Sequence, residues 1–498
     1  MLGQAADRVA ASNIFAYRQL EYWRGQRSVL KPTMSVDIHP EKATSLASTR
    51  RSPLQRLTSL FVQLFERYTP DPYILAVGLT LLTAVLAAAL APKGSLPTIL
   101  SGWYAGLFGI LAFAFQVLLI LVAGYALSTS RPVRSLLSWI ASSGSTPRRA
   151  IVVTIVTVFL ASFLNWGFGL VVAGLLTREI AKRIRIDFGW LVGGAYSGWM
   201  IFSSGFSSSI ALSQATPGSS LNIVQKVTGQ VLPLESMLFT LLNLVTTVVL
   251  LIALPLLYCA IQPSESDVQI ANMKESAAQT EVSSKETQEP RSLARKLEEA
   301  WILNVIFVVA GIAALGLVWH QNGCSLDLNS VIFLFVIAGL LLHWRPIAYV
   351  KAINNAAGIT GPLILQYPIY GGIMGIMTST GLADVFAKGF IQLANAHTLP
   401  FWNFIASLII SLFVPSAGGH WAVQGPFTVP AAVGLHASQA ATAMGVAYGE
   451  QVADMIQPFW ALPVVAVAGI SIRRVMGFTV MSFLLGAVLF GAALLILV

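Results

Sequence analysis

From Tyr73 to the C-terminus the chain is a succession of apolar runs, each of about 20 residues, the length needed to cross a bilayer as a helix. Two of these runs are broken near their middle by residues that cannot continue a helix and that bring polarity with them. One break is Val414-Pro415-Ser416-Ala417-Gly418-Gly419-His420-Trp421, and the other is Asn165-Trp166-Gly167-Phe168-Gly169-Leu170. In hydrocarbon each backbone group released by such a break goes unsatisfied, so breaks survive only where they are buried in protein or line a cavity. The pattern therefore predicts a membrane protein whose interior is built around two facing breaks.

Composition agrees. Of 498 residues, 56% are hydrophobic and only 10% charged, which excludes an ordinary soluble enzyme. The dyad alternation of an outer-membrane barrel is absent, leaving an all-α polytopic membrane protein. Cys259 and Cys324 are far apart and form neither a disulfide framework nor a metal-ligand cluster. The net charge of +9 comes from Lys and Arg that flank apolar runs, as topology signals do, and not from a nucleic-acid-binding patch.

Residues 1–52 hold Arg8, Arg18, Arg24, Arg27, Lys31 and Lys42 with no apolar stretch behind them, and are expected to be a disordered cytoplasmic extension, not a signal peptide. Met34 is a candidate start within it. Pro53 to Tyr68 has the pattern of a helix lying at the cytoplasmic interface.

Crossings are expected over Tyr73–Leu90 and Gly106–Leu127. Ile151–Leu176, flanked by Arg148 and Arg149 before it and Arg178, Lys182, Arg183 and Arg185 after it, would enter and leave on the cytoplasmic side. A broken helix from Phe188 through a serine-rich stretch to Ala215-Thr216-Pro217-Gly218 and a crossing over Leu234–Ile261 complete the first half, 53–263. Residues 264–299, mixed in charge and rich in Ser, Glu and Gln, read as a cytoplasmic linker. In the second half, 300–498, a connector helix (Trp301–Trp319) precedes crossings over Val331–Leu342 and Ile353–Met377. A surface stretch (Leu382–His397) leads to a hairpin entering from outside (Phe401–Leu435). A helix broken at Gln457-Pro458 and a last crossing from Met476 follow. The second series is the first turned upside down, the inverted-repeat plan of secondary transporters, with two re-entrant helical hairpins and broken helices meeting near the bilayer midplane.

Four of these stretches also resemble a known family. They are Asn165 to Val172, Ala215 to Gly218, Gly418 to Trp421 with Gln424 to Phe427, and Ala447 to Gln451 leading into Gln457 to Pro463. Together, in this order, they are similar to the bacterial short-chain fatty acid transporters, over a region running from about Leu54 to the C-terminus. The resemblance implies uptake of acids such as butyrate or acetoacetate across the inner membrane, and an ion-transporter-like fold. The chain departs from the expected family pattern at Ala417, where Gly would be expected, over Ser203–Ser209, where a Gly-rich run would be, and at Asp454, where an amide would be.

A monocarboxylate needs its charge met and its tail housed. No Lys or Arg lies inside the apolar runs, so helix N-termini at the breaks, with Asn165, Thr216, Ser416 and His420 as added donors, are expected to hold the anion. The expected substrate-binding set is Asn165, Trp166, Gly167, Gly169, Thr216, Ser416, Gly418, Gly419, His420 and Gln457, with Trp166, Phe168, Trp421 and Phe459 around the tail. Each has a purely structural alternative: packing for the tryptophans, capping for Asn165 and Ser416, a hydrogen-bonded core imidazole for His420. Glu450 and Asp454, four apart on one helix face, are expected with His420 to handle the coupling ion, as membrane-buried carboxylates do, unless Glu450 merely ion-pairs at the membrane edge. That ion is H+ or Na+, the latter near Asn165 and Ser416; no firm metal site and no cofactor are expected. The partners are the acid anion and the lipid bilayer, a homo-oligomer being compatible. A carrier for another small organic anion or a Na+/H+ exchanger is the alternative. No protease, hydrolase or P-loop motif is present.

Overall fold

A computed structural model describes residues 72–263, 268, 270, 293–322, 326–457, 459–470 and 472–498. The expected extension, the interface helix at Pro53–Tyr68, most of the linker, Cys324 and Pro458 lie outside the described residues. The described chain is helical throughout. Six of its helices are long and apolar enough to cross a membrane: Tyr73–Leu90, Leu96–Thr129, Pro147–Leu164, Leu241–Ala260, Trp301–Gln321 and Arg474–Ile496.

The second of these starts ten residues before the expected crossing. Pro97 sits in the first turn of a helix capped by Ser95, whose hydroxyl accepts from Thr98 N at 3.4 Å. Proline is tolerated there because the first-turn N–H groups have no intrahelical partner anyway. Ile110, at φ −99° and ψ −8°, marks a slight irregularity before the helix resumes at Leu111. The crossing expected over Ile353–Met377 is likewise two helices, Pro346–Ala357 and Gly361–Thr380, parted at Gly358–Thr360.

Two helical hairpins dominate the interior. Pro147–Leu164 turns at Asn165 into Trp166–Ala181, and Leu399–Ile410 turns over Ser411–Ser416 into Ala417–Gly434. Each hairpin is preceded by a surface helix with one buried stripe: Val133, Leu137 and Ala141 in Arg131–Ser142, and Leu382, Ala383 and Ala387 in Leu382–Leu393. Each is followed by a broken helix. Phe188–Trp199 passes into a 3-10 turn at Met200–Ser204, a turn closed by Ser208 N on Gly205 O, and Ser209–Ala215; Gln439–Ala453 breaks over Asp454–Trp460 and resumes at Ala461–Ala468.

The halves run antiparallel where they meet. Gly106 lies against Gly371 and Gly102 against Gly375, and a Cβ on Gly106 would stand 2.2 Å from Gly371 O. Because the residue numbers ascend on one helix as they descend on the other, the two Gly-x-x-x-Gly motifs cross head to tail. This is the inversion expected from charge topology, realised as backbone-on-backbone contact that only glycine permits.

The break in the first broken helix falls at Met200–Ser208, earlier than Thr216–Gly218. Gly205 is extended (φ −108°, ψ −176°), and a Cβ there would lie 2.2 Å from Phe163 O, so the chain parts where it must pass the first hairpin. With that placement the two halves have nearly equal spacing: 40 residues from Asn165 to Gly205 and 41 from Ser416 to Gln457.

Candidate functional site

At the first tip the helix Pro147–Leu164 ends because Asn165 adopts an extended backbone, φ −154° and ψ 124°. Its Oδ1 accepts from Phe168 N at 2.9 Å and caps the next helix; its Nδ2 donates to Ile120 O at 3.5 Å. Trp166 N donates to Ser207 Oγ at 2.8 Å. The tip's free N–H groups are thus largely spent on protein acceptors. Gly167 packs on Leu121 and Gly169 on Ser162 with no room for a side chain, so their absence of Cβ serves close approach.

The second tip repeats the backbone but not the cap. Ser416 has φ −155° and ψ 116°, and makes no side-chain cap bond; its hydroxyl donates instead to Tyr367 OH at 2.9 Å. His420 N bonds Ser416 O at 2.6 Å, whereas no acceptor among the described residues takes the N–H groups of Ala417, Gly418 or Gly419. An 18-residue helix therefore presents an uncapped N-terminus in a buried position, with the positive end of its dipole. Gly418 abuts Phe113 and Gly419 abuts the Tyr370 ring, where a Cβ would stand 2.3 Å from Cδ2.

His420 points into the second hairpin. Its Nε2 lies 2.6 Å from Gln424 Oε1 and 3.1 Å from Ser407 Oγ. The Gln424 amide nitrogen donates to Asn403 O at 2.9 Å, so its oxygen accepts and His420 Nε2 carries the proton; Thr428 Oγ1 closes the network on Asn403 Oδ1 at 2.6 Å. His420 Nδ1 has no partner among the described residues.

The break at Asp454–Trp460 spans the two tips. Gln457 Nε2 donates to Ser411 O at 3.2 Å on the second hairpin, while the Trp460 ring meets Trp166 on the first, edge to face with centroids 5.2 Å apart. The two broken helices bind each other directly. Ser203 Oγ donates to Glu450 Oε2 at 3.0 Å, Ser203 N donates to Gln451 Oε1 at 3.2 Å, and Tyr196 OH donates to Asp454 O at 2.9 Å. Glu450 is wholly buried and makes no ion pair among the described residues.

The structure thus gathers Asn165, Trp166, Ser416, Gly418, Gly419, Gln457, Glu450 and Asp454 around the tips and the second break. Thr216 is engaged elsewhere: its hydroxyl donates to Leu212 O at 2.7 Å and accepts from Leu328 N at 3.0 Å, tying the halves together. Trp421 donates to Leu221 O at 3.0 Å, and Phe459 stacks edge-on to Trp460 at 5.0 Å. Sequence reasoning noticed Ser203–Ser209 as small residues whose hydroxyls can serve the backbone or an ion, without a partner for them, and had no signal for Tyr196, Tyr367, Ser407 or Ser411, whose roles come from partners far along the chain. Among the described residues no Lys or Arg is buried, while buried unpartnered atoms include Trp166 Nε1, Ser411 Oγ and Gln457 Oε1.

The profile of the family described as Short chain fatty acid transporter matches residues 53–497. The chain belongs to the short-chain fatty acid transporter family. A relative from Escherichia coli strain K12, provisionally named for short-chain fatty acid transport, is 38% identical over 436 residues, covering 87% of this chain and 98% of the relative. A Haemophilus influenzae Rd relative of the same name is 36% identical over 441 residues, 88% of this chain and 98% of its own. Among solved structures, the YdaH transporter of Alcanivorax borkumensis superposes with a TM-score of 0.56 at 15% identity, over 85% of this chain and 98% of that one. Neisseria gonorrhoeae MtrF, described among antimetabolite efflux pumps, gives 0.51 at 16% identity, over 88% and 97%. These two share the fold alone. This short-chain fatty acid transporter family member is a multi-pass protein of the bacterial inner membrane, and its activity class is transport, not catalysis.

Proposed function

We propose that the protein is a secondary, ion-coupled carrier of short-chain monocarboxylates such as butyrate and acetoacetate. The observation that carries this reading is the uncapped N-terminus at Ala417–Gly419: three buried backbone donors and a helix dipole, with no cation beside them. Such a site meets one carboxylate and would leave the second charge of a dicarboxylate without a counter-charge. Ser416, Gly418, Gly419 and Gln457 hold the carboxylate with Trp166 Nε1 as a side-chain donor, and Asn165, Gly167 and Gly169 shape the opposite tip. Thr216 supports the site from the helix junction, and the Trp166 and Trp460 rings border the space for the tail. Glu450 and Asp454 are the coupling groups, with H+ the preferred ion and Na+ near Asn165 and Ser416 the competitor; His420, bonded to Gln424 and Ser407 within its own hairpin, stands apart from them. Both hairpins are re-entrant, and the unit carrying them moves against the rest of the fold.

Counterflow of labelled butyrate in proteoliposomes tests the reading, with proton and sodium gradients imposed separately. Accumulation under one of the two gradients is the expected result. No movement of any C2 to C6 acid under either gradient would overturn it, and cation exchange in the absence of acid would favour a Na+/H+ exchanger.

A further inference from the structure

Glu450 and Asp454 lie one turn apart, and each is completely buried. Residues four apart on a helix present their side chains on one face, so the two buried carboxyl groups are neighbours. Two ionised carboxylates only accept, so a bond between them would require a proton. Glu450 Oε2 takes a bond from Ser203 Oγ on the opposite broken helix, at 3.0 Å. Glu450 Oε1 and both Asp454 oxygens have no hydrogen-bond partner among the described residues, and Gln457 Oε1, one turn further and 3% exposed, is an unpartnered acceptor in the same break.

Among the described residues the surroundings offer no compensating charge. From the first broken helix Tyr196 faces the pair, its hydroxyl on Asp454 O. From Gly361–Thr380 Tyr367 is the titratable group that senses Glu450, and its hydroxyl accepts from Ser416 Oγ at 2.9 Å. The last helix contributes Thr479, which donates to Met455 O at 2.5 Å, and its Arg474 is paired with Asp187. Tyr448, on the pair's own helix, turns to Asn243 Oδ1 at 3.0 Å, and Tyr258 binds Ser197. His420 connects only through Ser407, whose hydroxyl donates to Val446 O at 2.7 Å, one turn before Glu450. Two buried anions with no cation in reach are costly enough that a proton must accompany them.

We infer that Glu450 and Asp454 form a carboxyl pair that stores the coupling proton between the two broken helices, with Ser203 as its positioning residue and His420 outside the proton-storing unit. The word coupling rests on the carrier reading above; the pair itself does not. In its singly protonated form one carboxyl O–H donates to the other carboxylate. Gain of a proton from one side of the membrane adds an O–H to the remaining carboxylate and neutralises the pair, and release to the other side restores the monoanion. The pair's charge changes by one in each direction, so one proton can move with each carboxylate. Because the pair bridges the helices that also hold the two tips, its charge and the state of the tips are mechanically linked.

The test is infrared difference spectroscopy on the full chain in nanodiscs, between mildly acidic and mildly alkaline buffer, with no acid substrate present. The expected result is a protonated-carboxyl stretch that shifts in D2O, is lost in Glu450→Gln and in Asp454→Asn, moves in frequency in Ser203→Ala, and is unchanged in His420→Gln. A band that survives Asp454→Asn, or one that disappears with His420→Gln, would overturn the inference. Should a carboxyl variant fail to fold, the Ser203→Ala shift decides, since only a hydroxyl is removed. A second arm follows proton entry with a pH dye during butyrate uptake, where one proton per acid is expected. If wild-type protein shows the band but moves no acid, the carrier reading fails and the pair stands. If acid moves with sodium alone and the band is absent, the pair fails and the carrier reading stands.

Discussion

Asn165 and Ser416 hold nearly the same backbone at the two hairpin tips, φ −154° and ψ 124° against φ −155° and ψ 116°, but only Asn165 caps the helix that follows it. The amide that binds Phe168 N at one tip has no equivalent at the other, where the serine hydroxyl is turned to Tyr367. One tip is closed by its own side chain and the other is left uncapped.

Copying the closed tip onto the open one should separate stability from function. Ser416→Asn supplies an oxygen for the N–H groups near Gly419, which stabilises the helix by roughly 0.5–2 kcal/mol. The same oxygen competes with a carboxylate. The expected outcome is an unchanged or higher Tm with butyrate KM raised about tenfold; a higher Tm with unaltered KM would place the anion elsewhere.

Trp166 offers an indole N–H that is buried and has no partner among the described residues. Trp166→Phe keeps the ring packed on Trp460 and removes that donor alone. A lost hydrogen bond to a charged ligand is worth about 1.5–3 kcal/mol, so butyrate affinity should fall roughly 10- to 100-fold with little change in Tm. Isothermal titration with detergent-purified protein reads the affinity, and a thermal melt of the same sample reads the Tm.

The glycine crossing makes a contrast within one residue type. Gly106→Ala drives a methyl group to within 2.2 Å of the Gly371 carbonyl oxygen, whereas a Cβ at Gly78 meets nothing within 4 Å. Gly106→Ala should lower Tm sharply or abolish monodisperse expression. Gly78→Ala should be neutral or stabilising by up to ~1 kcal/mol, as alanine is the better helix former. Equal behaviour of the two variants in fluorescence size-exclusion would argue against the crossing.

Asp187 caps Phe188–Trp199 through Trp190 N at 2.8 Å and also pairs with Arg474 of the last helix. Its side chain is 2% exposed and that of Arg474 23%, so removing the carboxylate strands a mostly buried cation. Asp187→Ala is expected to cost about 3–5 kcal/mol. Asp187→Asn, which keeps the cap, should recover part of it, as thermal unfolding of both variants would show.

His420 binds Gln424 Oε1 through Nε2. In His420→Phe that oxygen is left buried without a donor, at about 1–3 kcal/mol, whereas His420→Gln can supply one from its amide. Thermal melts should rank wild type first, Gln next and Phe last. A Phe variant as stable as the Gln variant would show that the network around Asn403 and Thr428 does not depend on the imidazole.

Much of the fold was legible because the membrane imposes it. Apolar length, basic flanks and helix-breaking residues at Asn165–Gly169 and Pro415–Gly419 each follow from the cost of exposing backbone or charge to lipid, and each is a local property of the chain. Helix limits at Leu96 and Gly361 were not legible, since proline and glycine start helices as readily as they end them. The break at Gly205 was also misplaced. It is set by the carbonyl of Phe163 on another helix, and a serine run can equally well remain helical.

At the site the same division holds. That two apolar runs would break at Asn165 and Ser416, and that Glu450 and Asp454 would share a helix face, followed from the residues and their spacing. Which tip is capped, that His420 turns into its own hairpin, and that Ser203 reaches Glu450 across 247 positions were decided only when the helices packed. A side chain's type fixes what bonds it can make; in a buried polar site, the neighbours brought by tertiary contact choose among them.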